Sequence, residues 1–106
     1  MLLAAFALGA CSTTGRTVPR VVRFVIPNGT EMRLIRGAHV QLMPERLHVH
    51  VGDRIEVENN DRFAHSMGPF FVKALSSYSL VYQAPGHFVG SCTFTPTGRY
   101  EIDVTS

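Results

Sequence analysis

No apolar run in this 106-residue chain approaches the ~20 residues that a membrane-spanning helix needs. Tryptophan is absent, and cysteine occurs only at positions 11 and 92. An excess of one charge is missing too, because ten basic residues stand against eight acidic ones. Nine of the ten bases are arginines, scattered from Arg16 to Arg99 rather than gathered into the basic stripe of a nucleic-acid binder. The chain has no internal repeat, no low-complexity stretch and no sustained helical period. It also lacks a paired-carboxylate motif, a glycine-rich phosphate loop and a Ser-His-Asp arrangement, which speaks against an enzyme. The length excludes an α/β barrel of ~250 residues and leaves one domain, since two cores would need about 50 residues each. At 45% apolar residues the chain is not a disordered tail.

What is present begins with an address. Leu2 to Ala10 is apolar and ends in small residues, and Cys11 follows. This order reads as a secretory signal over residues 1–10. Leu8-Gly9-Ala10-Cys11 resembles the bacterial lipobox, in which the cysteine is lipidated and becomes the new N-terminus. Residues 11–19 then form a flexible tether, and residues 20–106 form the domain. No Lys or Arg precedes the apolar run, a feature that a start further upstream would supply. Acyl carbons contribute about 0.8 kcal/mol per buried CH₂, so the expected location is extracytoplasmic, anchored at a bacterial membrane in the periplasm or on the cell surface. Cys92 is then a lone thiol in an oxidising compartment.

From Arg20 onward the pattern has period two, interrupted by Gly, Pro, Asn and Asp. Val21 to Ile26 is a strand closed by Pro27-Asn28-Gly29. Leu47, Val49 and Val51 alternate with His48 and His50. After Gly52-Asp53, Ile55 and Val57 alternate with Arg54, Glu56 and Glu58, which predicts a hairpin-like pair with one buried and one wet face. Further strands are predicted at Phe70–Lys73, Ser77–Tyr82, His87–Thr93 and Arg99–Val104. Residues 37–43 read as a strand or a short helical turn. Short strands at this spacing predict an all-β sandwich or small barrel.

The order of these pieces resembles the cupredoxin family. Val51-Gly52-Asp53 leads to Ile55-Glu56-Val57-Glu58-Asn59-Asn60-Asp61, then His65, then Ala84-Pro85-Gly86-His87-Phe88 leading to Cys92, and Tyr100-Glu101-Ile102-Asp103-Val104 closes the chain. The resemblance implies a Greek-key β-sandwich that holds copper and passes single electrons, with a redox or copper-exchange protein as partner. By position, the family's copper ligands carry over to His65 and Cys92. The family normally adds a second His, and often a Met, shortly after the Cys. Here Thr93-Phe94-Thr95-Pro96-Thr97-Gly98-Arg99 holds neither, so this loop does not complete a blue-copper set.

Met67 stands two residues after His65, and i and i+2 share a face on an extended segment. His65, Met67 and Cys92 together make a soft set suited to Cu(I). Met67 reads equally well as core filler beside Phe70 and Phe71. His87, five residues before Cys92, falls on the opposite strand face and reads as surface. His48 and His50 lie on a polar face, and His39 has no identifiable partner. Phe63, Phe70, Phe71, Phe88 and Phe94 are placed near the proposed site, as its shield or as core. The alternative is a metal-free interaction or structural module on the same scaffold. A Cys–His nucleophile has no orienting residue or oxyanion site in the spacing. The lipid reading makes a direct prediction. Expressed in a bacterial host fed a labelled fatty acid, the chain takes up label, and Cys11→Ala does not; an unlabelled parent chain refutes lipidation.

Overall fold

Alternating apolar residues become eight strands and one helical turn in the computed structural model, which describes residues 18–106. The expected signal segment, Cys11 and most of the tether lie outside the described residues. The elements are β1 (Val21–Ile26), α1 (Thr30–Ile35), β2 (Arg46–His50), β3 (Arg54–Asn59), β4 (His65–Met67), β5 (Phe70–Val72), β6 (Ser77–Val81), β7 (Gly86–Ser91) and β8 (Arg99–Thr105).

One sheet has the order β1-β3-β6, with β1 parallel and β6 antiparallel to β3. The second has the order β2-β8-β7, with β2 parallel and β7 antiparallel to β8. β4 and β5 form a separate hairpin. The buried residues alternate as the sequence does: Ile55 and Val57 on β3, Tyr100, Ile102 and Val104 on β8. These inner faces meet in one core with Ile26, Val49, Phe70 and Phe94. Each fully buried Val, Ile or Phe contributes about 1.5–3 kcal/mol. The domain is the all-β architecture expected.

Two local expectations are corrected, and one element is added. β2 and β3 are not a hairpin pair, because they belong to different sheets. Gly52, at φ +97, turns the chain from one sheet to the other. Residues 30–35, where the sequence predicts no element, form a helical turn. Six residues are too few to display a helical period, and the turn ends in a Schellman pattern, with Gly37 N–H donating to Leu34 O and Ala38 N–H to Arg33 O, both at 2.9 Å. Residues 37–43 are neither strand nor helix; this loop is fastened elsewhere, as described below.

The corner between β2 and β3 is held by a buried carboxylate. Asp53 accepts from the backbone N–H of Arg20 and of His50, each at 2.8 Å, and from the Arg20 guanidinium at 3.4 Å. It thereby ties the start of β1 to the corner between the two sheets. The two backbone donors hold the Asp53 carboxyl below the usual 3.8, outweighing burial, with the Arg20 charge assisting. A carboxyl lowered on folding stabilises the fold fully above its unfolded value and loses that contribution as pH falls through its folded value. Urea midpoints are therefore expected to drop as pH falls below about 4. Asp53→Asn should cost about 1.5–3 kcal/mol at pH 7 and shrink the acid slope; an unchanged slope would contradict this assignment.

Candidate metal centre

The end of β3 carries two polar residues that the fold buries. Asn59 is 1% exposed and Asp61 2%. The Asn59 amide nitrogen contacts the carbonyls of Phe63, Val72 and Lys73 at 2.9, 3.2 and 3.1 Å, and its oxygen accepts from Asp61 N–H at 2.9 Å. The Asp61 carboxylate then accepts from four donors. They are the backbone N–H groups of Gly29, Glu31 and Arg62, at 3.1, 2.8 and 2.9 Å, and His65 Nε2 at 2.7 Å. Burial raises the Asp61 carboxyl, but the His65 bond and the three amides overcome it and hold the group at about 2. α1 has no side-chain cap of its own, so Asp61 serves its first turn from across the fold.

This carboxylate assigns the ring of His65. An ionised Asp61 only accepts, so the nitrogen facing it carries the hydrogen. Nδ1 is then the acceptor of the neutral ring. It faces Glu31 Oε1 at 3.9 Å, beyond hydrogen-bond reach. His65 is 6% exposed, and its ring meets Phe94 edge-on at 5.6 Å between centroids. His65 and Met67 share the buried face of β4, as the alternation predicts, with Ser66 outward.

Cys92 is 3% exposed. Gly68 N–H points at its sulfur, 3.2 Å away. That contact seats the end of β4 against the thiol. Gly68 takes φ +58 at the first position of the turn joining β4 to β5, where glycine carries little strain. The Tyr100 ring lies 3.6 Å from where a Gly68 side chain would begin and packs over Gly90, its partner across β7 and β8. Tyr100 thus braces the turn that presents the amide.

The loop after Cys92 closes on itself. Cys92 N–H donates to Gly98 O at 2.9 Å. The Thr95 hydroxyl donates toward Arg99 O at 2.8 Å and Cys92 O at 3.3 Å, and accepts from Gly98 N–H at 3.1 Å. A buried threonine thus shapes the loop, and the loop brings no imidazole to the site.

The other histidines lie apart. His87 is exposed on β7 and paired with Asp103. His39 is exposed in the loop before β2. The His48 and His50 rings stand 5.1 Å apart on β2, beside a cleft of about 300 Å³ that also holds Arg20, Asp53 and Val18. A second cleft, of about 240 Å³, lies over β3 and β6 and is lined by Arg23, Glu56 and Tyr78. Of the five phenylalanines placed near the site, Phe70 and Phe94 are buried, whereas Phe63, Phe71 and Phe88 are exposed by 41–60%. Their side chains therefore give only partial shielding. Sequence reasoning missed Asp61 as a positioning group. The Asn-x-Asp run before His65 was the available signal.

The expected donors, His65, Cys92 and Met67, are one imidazole, one thiol and one thioether. This set suits a monovalent, sulfur-preferring ion, and it lacks the second imidazole of a blue-copper centre. Among the described residues, no three His, Cys, Asp or Glu side chains converge as a metal group. A site here therefore needs methionine sulfur.

No family model matches the chain, and no curated protein matches it. Solved structures do. An oxidised amicyanin mutant is 22% identical over 79% of this chain and 81% of that one, with a TM-score of 0.48. A purple cupredoxin from Nitrosopumilus maritimus is 19% identical over 79% and 99%, with a TM-score of 0.46. A copper-containing nitrite reductase from Thermus scotoductus is 20% identical over 86% of this chain and 23% of its own, with a TM-score of 0.47. These are distant likenesses, and the site is read from its own residues.

Asp61→Asn keeps the shape but replaces an acceptor oxygen with an amide donor facing N–H groups. It should cost about 2–3 kcal/mol of unfolding free energy by urea titration. A loss below 0.5 kcal/mol would show that Asp61 does not organise this end of the fold, since ordinary surface changes fall within about that range.

Proposed function

We propose that this chain is an extracytoplasmic, cupredoxin-like module that holds copper as Cu(I) through Cys92, His65 and Met67. The observation that carries the reading is the Gly68 N–H on the Cys92 sulfur, which brings the end of β4 to the thiol. Cys92, His65 and Met67 are all buried, so the imidazole and the two sulfurs sit in a low-dielectric setting. Copper held there would bring soft-ligand chemistry, in which thiolate and thioether favour the monovalent ion. The chain's own part is to fix the donors: Asp61 orients the His65 ring, the Gly68 amide holds the Cys92 sulfur in place, and Phe94 covers the imidazole. Holding and handing on copper suits this set better than fast redox cycling. The reading includes a copper-exchange or redox protein as partner, a lipid anchor at Cys11 and no catalytic activity. Among the described residues no helix is long and apolar enough to cross a membrane, so attachment would come through the acyl group.

A metal-free interaction module is favoured by one observation: His65 already has a firm partner in Asp61. Cu(I) titration against a chromophoric chelator, under reducing anaerobic conditions, separates the two. One ion per chain should bind without a visible band, and at a hundredfold excess over Kd the fold should gain about 2.7 kcal/mol. Cys92→Ala and His65→Ala should each weaken binding. A parent chain that neither binds Cu(I) nor gains stability is a metal-free module.

A further inference from the structure

We infer that Met43 is a further sulfur donor of the Cys92 site, so that thiol and thioether groups from three separate segments enclose the same ion. This rests on the copper-holding reading above and extends it to a residue outside the ligand loops.

Met43 lies in the loop between α1 and β2 and is 4% exposed. Two hydrogen bonds fasten that loop to the segment carrying the thiol. The N–H groups of Leu42 and Met43 both donate to Phe94 O, at 2.9 and 3.2 Å, and Phe94 stands two residues beyond Cys92. From the other side, Met43 Sδ lies 3.7 Å from the point where a side chain on Gly68 would begin. Gly68 is also the residue whose N–H reaches Cys92 Sγ at 3.2 Å. One glycine is therefore flanked by a thioether and a thiol, and the residue before it, Met67, is fully buried.

The chemistry favours a donor role. Leucine would fill nearly the same volume, so what distinguishes methionine here is its polarisable sulfur on an adaptable chain. Soft uncharged sulfur stabilises Cu(I) without adding charge to the core. Gly68 stays bare because its φ of +58 suits glycine, and Met43 Sδ and the Tyr100 ring stand at ordinary contact distance around it. The donor that the loop after Cys92 fails to bring thus arrives from the α1–β2 loop.

The test uses the full chain with Cys11→Ser, which leaves Cys92 as the one thiol. Chelator competition measures Cu(I) affinity in this parent, in Met43→Leu and in Cys92→Ala. Met43→Leu should weaken binding at least about tenfold, the scale of losing one supporting group at a metal site, while the metal-free melting temperature stays near that of the parent. A second readout needs no folded variant. In the parent labelled with ¹³C-methyl methionine, one equivalent of Ag(I), a diamagnetic stand-in for Cu(I), should shift the Met43 methyl signal. Unchanged Cu(I) affinity in Met43→Leu together with an unshifted Met43 methyl overturns the inference and leaves the copper reading intact. A parent that binds no Cu(I), or Cys92→Ala binding as the parent does, overturns both. Should Met43→Leu not fold, the methyl shift alone decides.

Discussion

A single buried carboxylate joins α1, the loop after β3 and the imidazole of His65. Removing Asp61 from water is costly, and three backbone amides and one ring N–H offset that cost. α1 lacks a side-chain cap, and residues 60–64 have no strand to pair with. Asp61 supplies both with a fixed acceptor. The same contact decides which ring nitrogen of His65 keeps an open lone pair. A carboxylate behind a ligand histidine fixes its tautomer and raises its basicity. Fold and candidate site thus share one interaction, and neither can be altered there alone.

The strands were legible because alternation reports burial directly. β1 runs over Val21–Ile26 as read, and β3 and β8 bury every second residue. Pairing was not legible. β1 meets β3 across 33 residues and β2 meets β8 across 55, and no local signal encodes such distances. Gly52-Asp53 has the composition of a hairpin turn, yet the Asp53 carboxylate binds Arg20, the residue just before β1, and makes the turn a corner between sheets. The face shared by His65 and Met67 followed from two-residue spacing. Met43 did not, because hydrogen bonds to Phe94 place its loop, and those bonds join backbone groups rather than side chains that a sequence could announce.

The loop after Cys92 is held in shape by its own hydrogen bonds. Thr95 is fully buried, and its hydroxyl contacts three backbone groups of the same loop. A residue so engaged shapes the turn, its O–H given to the loop carbonyls and one lone pair to Gly98 N–H. Phe94 turns its ring edge to His65 and its carbonyl to the Met43 loop. Aromatic cover and a self-bonded turn therefore make up this loop. The donors that remain around Gly68 are sulfur.

Charge explains why the centre is assigned here and not on β2. Two imidazoles 5.1 Å apart, His48 and His50, have the outward look of a metal pair. The Arg20 guanidinium lies in the same cleft, bonded to His48 O and to Asp53, and its fixed positive charge opposes a cation. The one carboxylate there is already committed to Arg20 and to the corner amides. Around His65 the balance has the opposite sign. Asp61 sits behind the ring at Nε2 and Glu31 stands 3.9 Å from Nδ1, so both carboxylates near the imidazole favour a cation there. Ring count alone would choose β2, whereas charge and donor softness together choose the end of β4.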